Sequence, residues 1–434
     1  SLANLTFVNN IDFANKNLNA KGVKTRVKQK QYSKLESVFT TFNYGDALNQ
    51  IEMFNGDDLH LAGYTGAGIT IAVLDAGFPN VDTMTSFQKL RDDGNLLGSY
   101  DFVNRDVDVY KGTTSSHGTL VLSNMAGYIE NQFVGTAPDA SYYLFITENA
   151  PNENPVEESY WVEAVERADS LGVDIINTSL GYFNYDNASY SHTQADMDGN
   201  TAYITKGANI AFEKGLLMVT SAGNSGNDGV GAPADSQYVL SVGAVDAFGE
   251  YANFSSVGTV YQPTQKPDIV AQGQASYVID INDTAKTANG TSFSGPTIAG
   301  GIACLWQALL NKTNAEIMQL VRESGSQYAT PDIFLGYGIP NLQAALNTAL
   351  SVELNTNLNF NIYPNPVKDE WYIKSPFGEK MGTLQLYDIL GKEIDEFIVS
   401  SSSDRVDLSF LKNGVYIIKL DFETLSKTFK LIKQ

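Results

Sequence analysis

The chain contains three histidines, His60, His117 and His192, so few positions could supply an imidazole base. His117 stands in Ser115-Ser116-His117-Gly118-Thr119-Leu120-Val121, which reads as the start of a helix. The small Gly118 and Thr119 would let a second group approach its ring. His60, in Asp57-Asp58-Leu59-His60-Leu61, and His192, in Tyr190-Ser191-His192-Thr193, read as loop or surface residues. A base needs a carboxylate to orient it. Asp75 directly follows the apolar run Ile71-Ala72-Val73-Leu74, at the carboxyl end of a parallel strand, where α/β folds build their sites. Gly77 would let the chain turn sharply away.

The candidate nucleophile is Ser292, in Asn289-Gly290-Thr291-Ser292-Phe293-Ser294-Gly295-Pro296. Gly290 permits an unusual backbone ahead of it. Ser292 then opens a helix, with Pro296 near the first turn, where a missing N–H costs little. Free N–H groups and the positive dipole end of such a helix would stabilise an oxyanion. Asn224, in Thr220-Ser221-Ala222-Gly223-Asn224, follows another buried strand and could offer a second donor through its amide. Asn177-Thr178-Ser179-Leu180-Gly181 ends a further strand, and its small residues expose backbone to which an extended peptide could add as a strand. Ser179, Leu180, Gly181, Ala222 and Gly223 are therefore the expected substrate contacts. Singly, each residue has an ordinary reading. Asp75 suits a turn, Ser292 a helix cap, His117 a helix start, and Asn224 and Ser179 a loop. The catalytic reading rests on all five lying where one site would need them.

The elements that must position these residues are also legible. Ile69–Leu74, Val173–Ile176, Leu216–Val219 and Tyr238–Val242 read as buried strands. Trp161, Ala164, Val165, Ala168 and Leu171 recur at helical spacing, with Gly172 where a C-cap would fall; residues 202–214 read as a second helix. Strand–helix alternation predicts an α/β fold with a mostly parallel sheet between helices. After residue 351 the text changes. Residues 351–360 are a polar linker, and from Asn361 only short strand-like runs remain, which predicts a small all-β sandwich over 361–434.

Leu74-Asp75-Ala76-Gly77, His117-Gly118-Thr119, Ser179-Leu180-Gly181, Ala222-Gly223-Asn224 and Gly290-Thr291-Ser292 occur in the order found in subtilisin-like serine proteases, and Gly336-Tyr337-Gly338-Ile339-Pro340-Asn341 resembles the end of that domain. The resemblance covers roughly 45–350 and assigns a subtilisin-like peptidase domain to 41–350. It implies a triad of Asp75, His117 and Ser292, with Asn224 completing the oxyanion hole. Phe293-Ser294-Gly295 departs from the Met-Ala-Ser common in the family. No cofactor is required for the chemistry. Many members bind calcium, but Asp196-Met197-Asp198-Gly199-Asn200 is only a fragment of a calcium loop, so no metal ligand is assigned and a helix-capping turn is expected there.

Tyr363-Pro364-Asn365-Pro366, Tyr387-Asp388-Ile389-Leu390-Gly391-Lys392, Leu411-Lys412-Asn413-Gly414-Val415-Tyr416 and Lys430-Leu431-Ile432-Lys433 resemble the type IX secretion sorting domain of Bacteroidetes. That resemblance implies export across the outer membrane, the secretion machinery as a partner through 361–434, and a secreted or cell-surface location. An inactive protease-like scaffold acting as a surface binding protein is the alternative to a peptidase.

The totals describe a globular protein with a sizeable core. Apolar residues make up 43% of the 434 and the net charge is −21, which disfavours nucleic acid as a partner. The charge is uneven. Residues 1–40 carry seven basic and two acidic side chains, whereas 361–434 carry ten and eleven, leaving −25 on 41–360. The basic leader reads either as the remnant of an inhibitory pro-segment or as an N-terminal arm. Ser1 stands where an initiator Met would, no signal peptide opens the text, and no apolar run reaches the ~18–20 residues of a membrane span. The lone Cys304 is expected to be a buried thiol.

Overall fold

Each apolar run ahead of a candidate site residue forms a strand, and the strands lie side by side. The computed structural model describes residues 42–113, 115–350, 361–374, 381–389, 391–400, 404–422 and 425–434. The basic leader 1–40 and the linker 351–360 lie outside the described residues. The chain divides into two units between Leu350 and Ser351.

The first unit is built on seven parallel strands: β1 Thr70–Asp75, β2 Leu96–Asp101, β3 Ser141–Ile146, β4 Ile175–Thr178, β5 Leu217–Ser221, β6 Val239–Val245 and β7 Ile269–Gln272. Their order across the sheet is β2-β3-β1-β4-β5-β6-β7, and every neighbouring pair runs parallel. The anticipated strands start and end within a few residues of these. β4, β5, β6 and β7 are buried along their whole lengths, so both faces of the sheet are covered. This accounts for their continuous rather than alternating apolar text.

Two helix pairs provide the cover. Helix α1 (His117–Ala126) packs with α4 (Thr291–Ala308), and α2 (Val156–Leu171) packs with α3 (Tyr203–Glu213). Gly172 ends α2 in the left-handed region at φ 76°, the conformation a C-cap glycine adopts at little cost. Helix α4 is buried from Thr291 to Trp306. Its length of apolar side chains, at about 1.5–3 kcal/mol for each large one, anchors its amino end against β5. Cys304 lies within it, and its Sγ contacts the Thr136 carbonyl oxygen at 3.2 Å. Burial pushes the thiol pKa well up, which makes it a core residue rather than a nucleophile.

The order reverses at β1. The chain adds β2 and β3 on one side of it and β4 to β7 on the other, so a crevice opens at the carboxyl ends next to β1. Asp75 is the last residue of β1, Ser179 follows β4, and Ala222 follows β5.

His60 corrects its sequence reading. It lies in the short helix Gly56–Leu61 and is fully buried, with Nδ1 2.9 Å from the Tyr44 hydroxyl and Nε2 3.0 Å from the Thr136 carbonyl oxygen. Burial drives its pKa down to about 4, so it stays neutral in the core.

Every strand pair of the second unit among the described residues is antiparallel. Asn361–Tyr363, Glu370–Lys374 and Asp404–Asp407 form one sheet; Glu393–Ser400, Met381–Asp388, Gly414–Phe422 and Leu425–Lys433 form the other. Trp371 and Val406 of the first sheet share one apolar core with Leu384, Leu386, Ile418, Leu420 and Leu431 of the second, which makes the unit a sandwich. Asn365 ties the early Pro-Asn-Pro text to the last strand. Its Nδ2 donates to the Lys430 carbonyl at 2.7 Å, and its Oδ1 accepts from the Ile432 N–H at 2.9 Å.

Candidate active site

Asp75 is 1% exposed, and a carboxylate so placed needs partners. Its Oδ1 accepts from the Ala76 N–H at 2.7 Å. His117 Nδ1 meets both oxygens, at 2.8 and 3.0 Å. Two glycines make this approach possible. A Cβ on Gly118 would lie 2.5 Å from the Gly77 carbonyl oxygen and 3.0 Å from Asp75 Cβ. Gly77, at φ 152°, would put a Cβ 2.6 Å from the Ser115 carbonyl oxygen. Helix α1 can therefore set its first residue directly over the end of β1. Thr119 Oγ1 secures the turn by donating to the Pro79 carbonyl at 2.9 Å.

Burial disfavours the charged imidazole of His117, but the Asp75 charge and hydrogen bond outweigh it. The His117 pKa is raised above its ordinary value. The carboxylate at Nδ1 leaves Nε2 as the nitrogen free to take up a proton.

Ser292 is the second residue of α4 and 8% exposed. Gly290 ahead of it adopts φ 151°; a Cβ there would meet nothing nearer than 3.6 Å, so backbone conformation alone requires the glycine. Pro296 differs from its sequence reading. The helix begins at Thr291, which makes Pro296 its sixth residue, in the second turn. The missing N–H is the one that would bond the Ser292 carbonyl four residues earlier. Ser179 Oγ supplies the bond instead, donating to that carbonyl at 3.1 Å. Ser292 Oγ in turn donates to the Ser179 carbonyl at 3.3 Å, its one hydrogen bond among the described residues. Phe293 brings its ring within 6.0 Å of the His117 ring, centroid to centroid.

Asn224 is exposed, and its amide is oriented from behind. Oδ1 accepts from the Thr291 N–H at 2.9 Å and from Thr291 Oγ1 at 3.1 Å. The Nδ2 group is thereby left for the cleft. Thr291 Oγ1 also accepts from the Gly223 N–H at 3.2 Å, and Ser221 Oγ donates to the Thr291 carbonyl at 2.8 Å. Thr291 and Ser221 had no assigned role in the sequence. Both lie inside the quoted motifs as small hydroxyl residues, Thr291 directly after Gly290 and Ser221 two residues before Gly223, which was the available signal.

Ser179, Leu180, Gly181, Ala222, Gly223, Asn224, Thr291 and Ser292 line one cavity of about 590 Å³. Phe183, Asn184, Gln194, Asp228 and Tyr261 extend its wall. Among the described residues, neither the N–H nor the carbonyl of Leu180 and Gly181 has a hydrogen-bond partner. Ser179 differs from the rest of that segment, since its side chain serves Ser292 rather than the open cavity.

The Asp196–Asn200 fragment does not fit a calcium ion. Asp196 Oδ2 accepts from the Thr193 N–H and Oγ1, both at 2.7 Å, while Asp198 accepts from the Asn200 and Thr201 N–H groups at 2.9 and 2.7 Å. These carboxylates are engaged by their own turns. His192, read as a surface residue, is partly buried, with Nε2 2.8 Å from Glu158.

Comparison with known proteins gives the family. The family model described as "Subtilase family" matches residues 66–338, and that described as "Secretion system C-terminal sorting domain" matches 361–434. Subtilisin NAT of Bacillus subtilis subsp. natto is 29% identical over 335 residues, covering 76% of this chain and 79% of its own. Subtilisin of Bacillus pumilus is 29% identical over 301 residues, covering 68% and 97%. Among solved structures, MycP1 from Mycobacterium smegmatis superposes with a TM-score of 0.55 at 20% identity, covering 72% of this chain and 86% of that one. The prenylagaramide maturation protease PagA gives 0.53 at 23%, covering 67% and 97%. At those identities the structures speak for the fold alone. No helix among the described residues is long and apolar enough to cross a membrane. With its first family match spanning well over half of its length, the chain belongs to the subtilase family of serine endopeptidases, and its sorting domain makes it a secreted or cell-surface member.

Proposed function

We propose that the chain hydrolyses peptide bonds through an acyl-enzyme formed on Ser292. The observation that carries this reading is the paired contact of His117 Nδ1 with both oxygens of the buried Asp75, with the His117 ring 6.0 Å from that of Phe293, the residue after Ser292 at a helix amino end. Ser292 Oγ attacks the scissile carbonyl carbon, and His117 Nε2 takes its proton. Asp75 holds the ring and stabilises the imidazolium. The Asn224 amide and the Ser292 N–H donate to the oxyanion. The imidazolium then protonates the leaving amine, and a water deprotonated by His117 releases the acid.

Three features support the reading. The raised His117 pKa suits a base that must hold a proton between two steps. Thr291 fixes the Asn224 carbonyl oxygen and so directs its amide. The free backbone of Leu180 and Gly181 suits an extended substrate that adds as a strand. The Ser292 hydroxyl bonds the Ser179 carbonyl in the free protein; in this mechanism it exchanges that partner for the imidazole when substrate binds. Residues 361–434 carry the export signal for the secretion machinery, and 351–360 act as its linker.

The test is casein turnover by the purified chain and by Ser292→Ala. The expected loss is at least about a thousandfold. Equal turnover by the two proteins would remove Ser292 from the mechanism.

A further inference from the structure

The segment between β4 and α3, residues 179–202, lines the cavity through Ser179, Leu180, Gly181, Phe183, Asn184 and Gln194, yet it has no regular strand or long helix of its own. Its middle is held from outside by the Glu158 side chain and by the Glu153 backbone, whose carbonyl accepts from the Asp186 N–H at 3.0 Å and whose N–H donates to Asp186 Oδ2 at 3.2 Å. Glu158, on α2, is 4% exposed and takes partners from two directions. Oε1 accepts from His192 Nε2 at 2.8 Å and from the Tyr185 hydroxyl. Oε2 accepts from the Ile204 N–H at 2.8 Å, at the first turn of α3. Ala202, the residue before α3, provides no side-chain cap, so Glu158 serves as that cap from another helix.

The loop is closed on the same pair. The His192 N–H donates to the Phe183 carbonyl at 2.8 Å, and the Tyr185 N–H to Ser191 Oγ at 2.9 Å. The Tyr185 and His192 rings lie 5.8 Å apart. A shift of His192 therefore moves Phe183 directly, and Phe183 and Asn184 form the wall of the cavity that holds Ser292. The rest of the segment has separate ties. Tyr182 pairs with Ala232 through its backbone, and the Gly199 N–H donates to Asp235.

We propose that His192 and Glu158 are positioning residues for substrate binding, pinning residues 183–192 so that Phe183 and Asn184 present a fixed wall to the peptide. This rests on the reading of the cavity as the substrate cleft. The groups facing His192 are Glu158 from α2, Tyr185 and Asp196 from its own loop, and Asp235 beyond it. The hydrogen bond that His192 donates to Glu158 is the largest influence, and it holds the imidazolium above its ordinary pKa of 6.5 against burial. Glu158 itself stays ionised. Burial opposes its charge, but the bonds from His192, Tyr185 and Ile204 bring its pKa below the usual value. The ion pair is thus complete below pH 6.5 and is lost as pH rises through the higher folded value. The wall is held most firmly on the acid side.

The test uses full-length protein in a Ser292→Ala background, so that bound substrate is not cut. Affinity for fluorescein-labelled casein is read by anisotropy between about pH 6 and pH 9. The His117 pKa is raised as well, so the informative quantity is the difference between this background and the same protein carrying His192→Gln, which keeps an N–H donor without titrating. The expected result is a Kd that weakens about two- to fivefold more across the range when His192 is present. His192→Ala should weaken binding by a similar factor already at pH 6. A residue that merely supports the fold would lower Tm in His192→Ala and leave Kd unchanged. Superimposable Kd–pH curves for the three proteins, or no measurable binding by any of them, would overturn the proposal. Turnover of the same casein by the wild type decides the catalytic reading separately.

Discussion

Ser179 and Ser292 exchange hydrogen bonds: Ser179 Oγ donates to the Ser292 carbonyl at 3.1 Å, and Ser292 Oγ donates to the Ser179 carbonyl at 3.3 Å. The first bond replaces one that Pro296 cannot make. It ties the end of β4 to the start of α4, so the segment proposed to bind substrate and the residue proposed to attack it move as one piece.

Ser179→Ala should leave the buried Ser292 carbonyl without a donor, at a cost of about 1–3 kcal/mol in urea unfolding. Pro296→Ala restores an N–H four residues on. Combined with Ser179→Ala it should recover most of that loss, whereas the two effects simply adding would show that Pro296 is unconnected to the bond.

Asp75→Asn keeps the shape of the site but removes the charge beside His117 Nδ1. It should lower kcat by about 10⁴. The pH profile has a defined sign. The base must be neutral to act, so kcat/KM falls as pH drops through the raised His117 pKa. Without Asp75 that raise is lost, and the residual activity should persist to lower pH. An acid limb that stays in place would contradict the assigned cause.

As the proposed oxyanion donor, Asn224 would meet charge only in the transition state, so Asn224→Ala should cost about 10²–10³ in kcat with little change in KM. Thr291→Val removes one of the two bonds to Asn224 Oδ1 and should cost less. In the Asn224→Ala background, Thr291→Val should have nearly no further effect on kcat. Full additivity would detach Thr291 from the oxyanion site.

Gly118→Ala puts a methyl 2.5 Å from the Gly77 carbonyl oxygen and 3.0 Å from Asp75 Cβ. Helix α1 must then move off β1. The expected outcome is a loss of about 1–3 kcal/mol and a larger fall in kcat than in Tm alone would suggest. Wild-type turnover in this variant would show that the close approach is unnecessary.

Glu148, Glu153 and Glu157 bring carboxyl oxygens within 4.8 Å of one another. Burial first, then the neighbouring charges of Glu157 and Asp186, pushes the Glu153 pKa from 4.5 up to about 7. A raised carboxyl pKa means that the folded state holds its proton longer, so stability falls as pH rises from 4.5 through about 7. Glu153→Gln should therefore raise Tm above pH 7 and leave it unchanged near pH 4. Solvent screening at this half-exposed group keeps the gain to about 1 kcal/mol. Equal Tm at both pH values would count against the clustered charges.

The parallel sheet was legible because strands buried on both faces read as unbroken apolar runs, and Gly172 marked a helix end through its own backbone. The segments around Asp75, His117, Ser292 and Asn224 were visible for the same local reason, since each directly follows a strand or opens a helix. The partners were not visible. Ser179 meets Ser292 across 113 residues of chain and Asn224 meets Thr291 across 67, and no local pattern encodes such pairings. His60 was misread because Asp57 and Asp58 outweighed its direct neighbours Leu59 and Leu61, and His192 because its polar neighbours Ser191 and Thr193 suggested exposure. One is enclosed by Tyr44 and Thr136, and the other is drawn inward by Glu158. Pro296 was read as near the first turn of a helix opening at Ser292; the helix opens one residue earlier, at Thr291, which puts the proline in the second turn, and a run of small residues does not reveal such a shift.

The most direct test of the central claim is to label the native protein with a fluorophosphonate and map the adduct by mass spectrometry. A single adduct on Ser292, absent in Ser292→Ala and strongly slowed in His117→Ala, is the predicted result. An adduct on another residue, or equal labelling of the wild type and Ser292→Ala, would contradict the account.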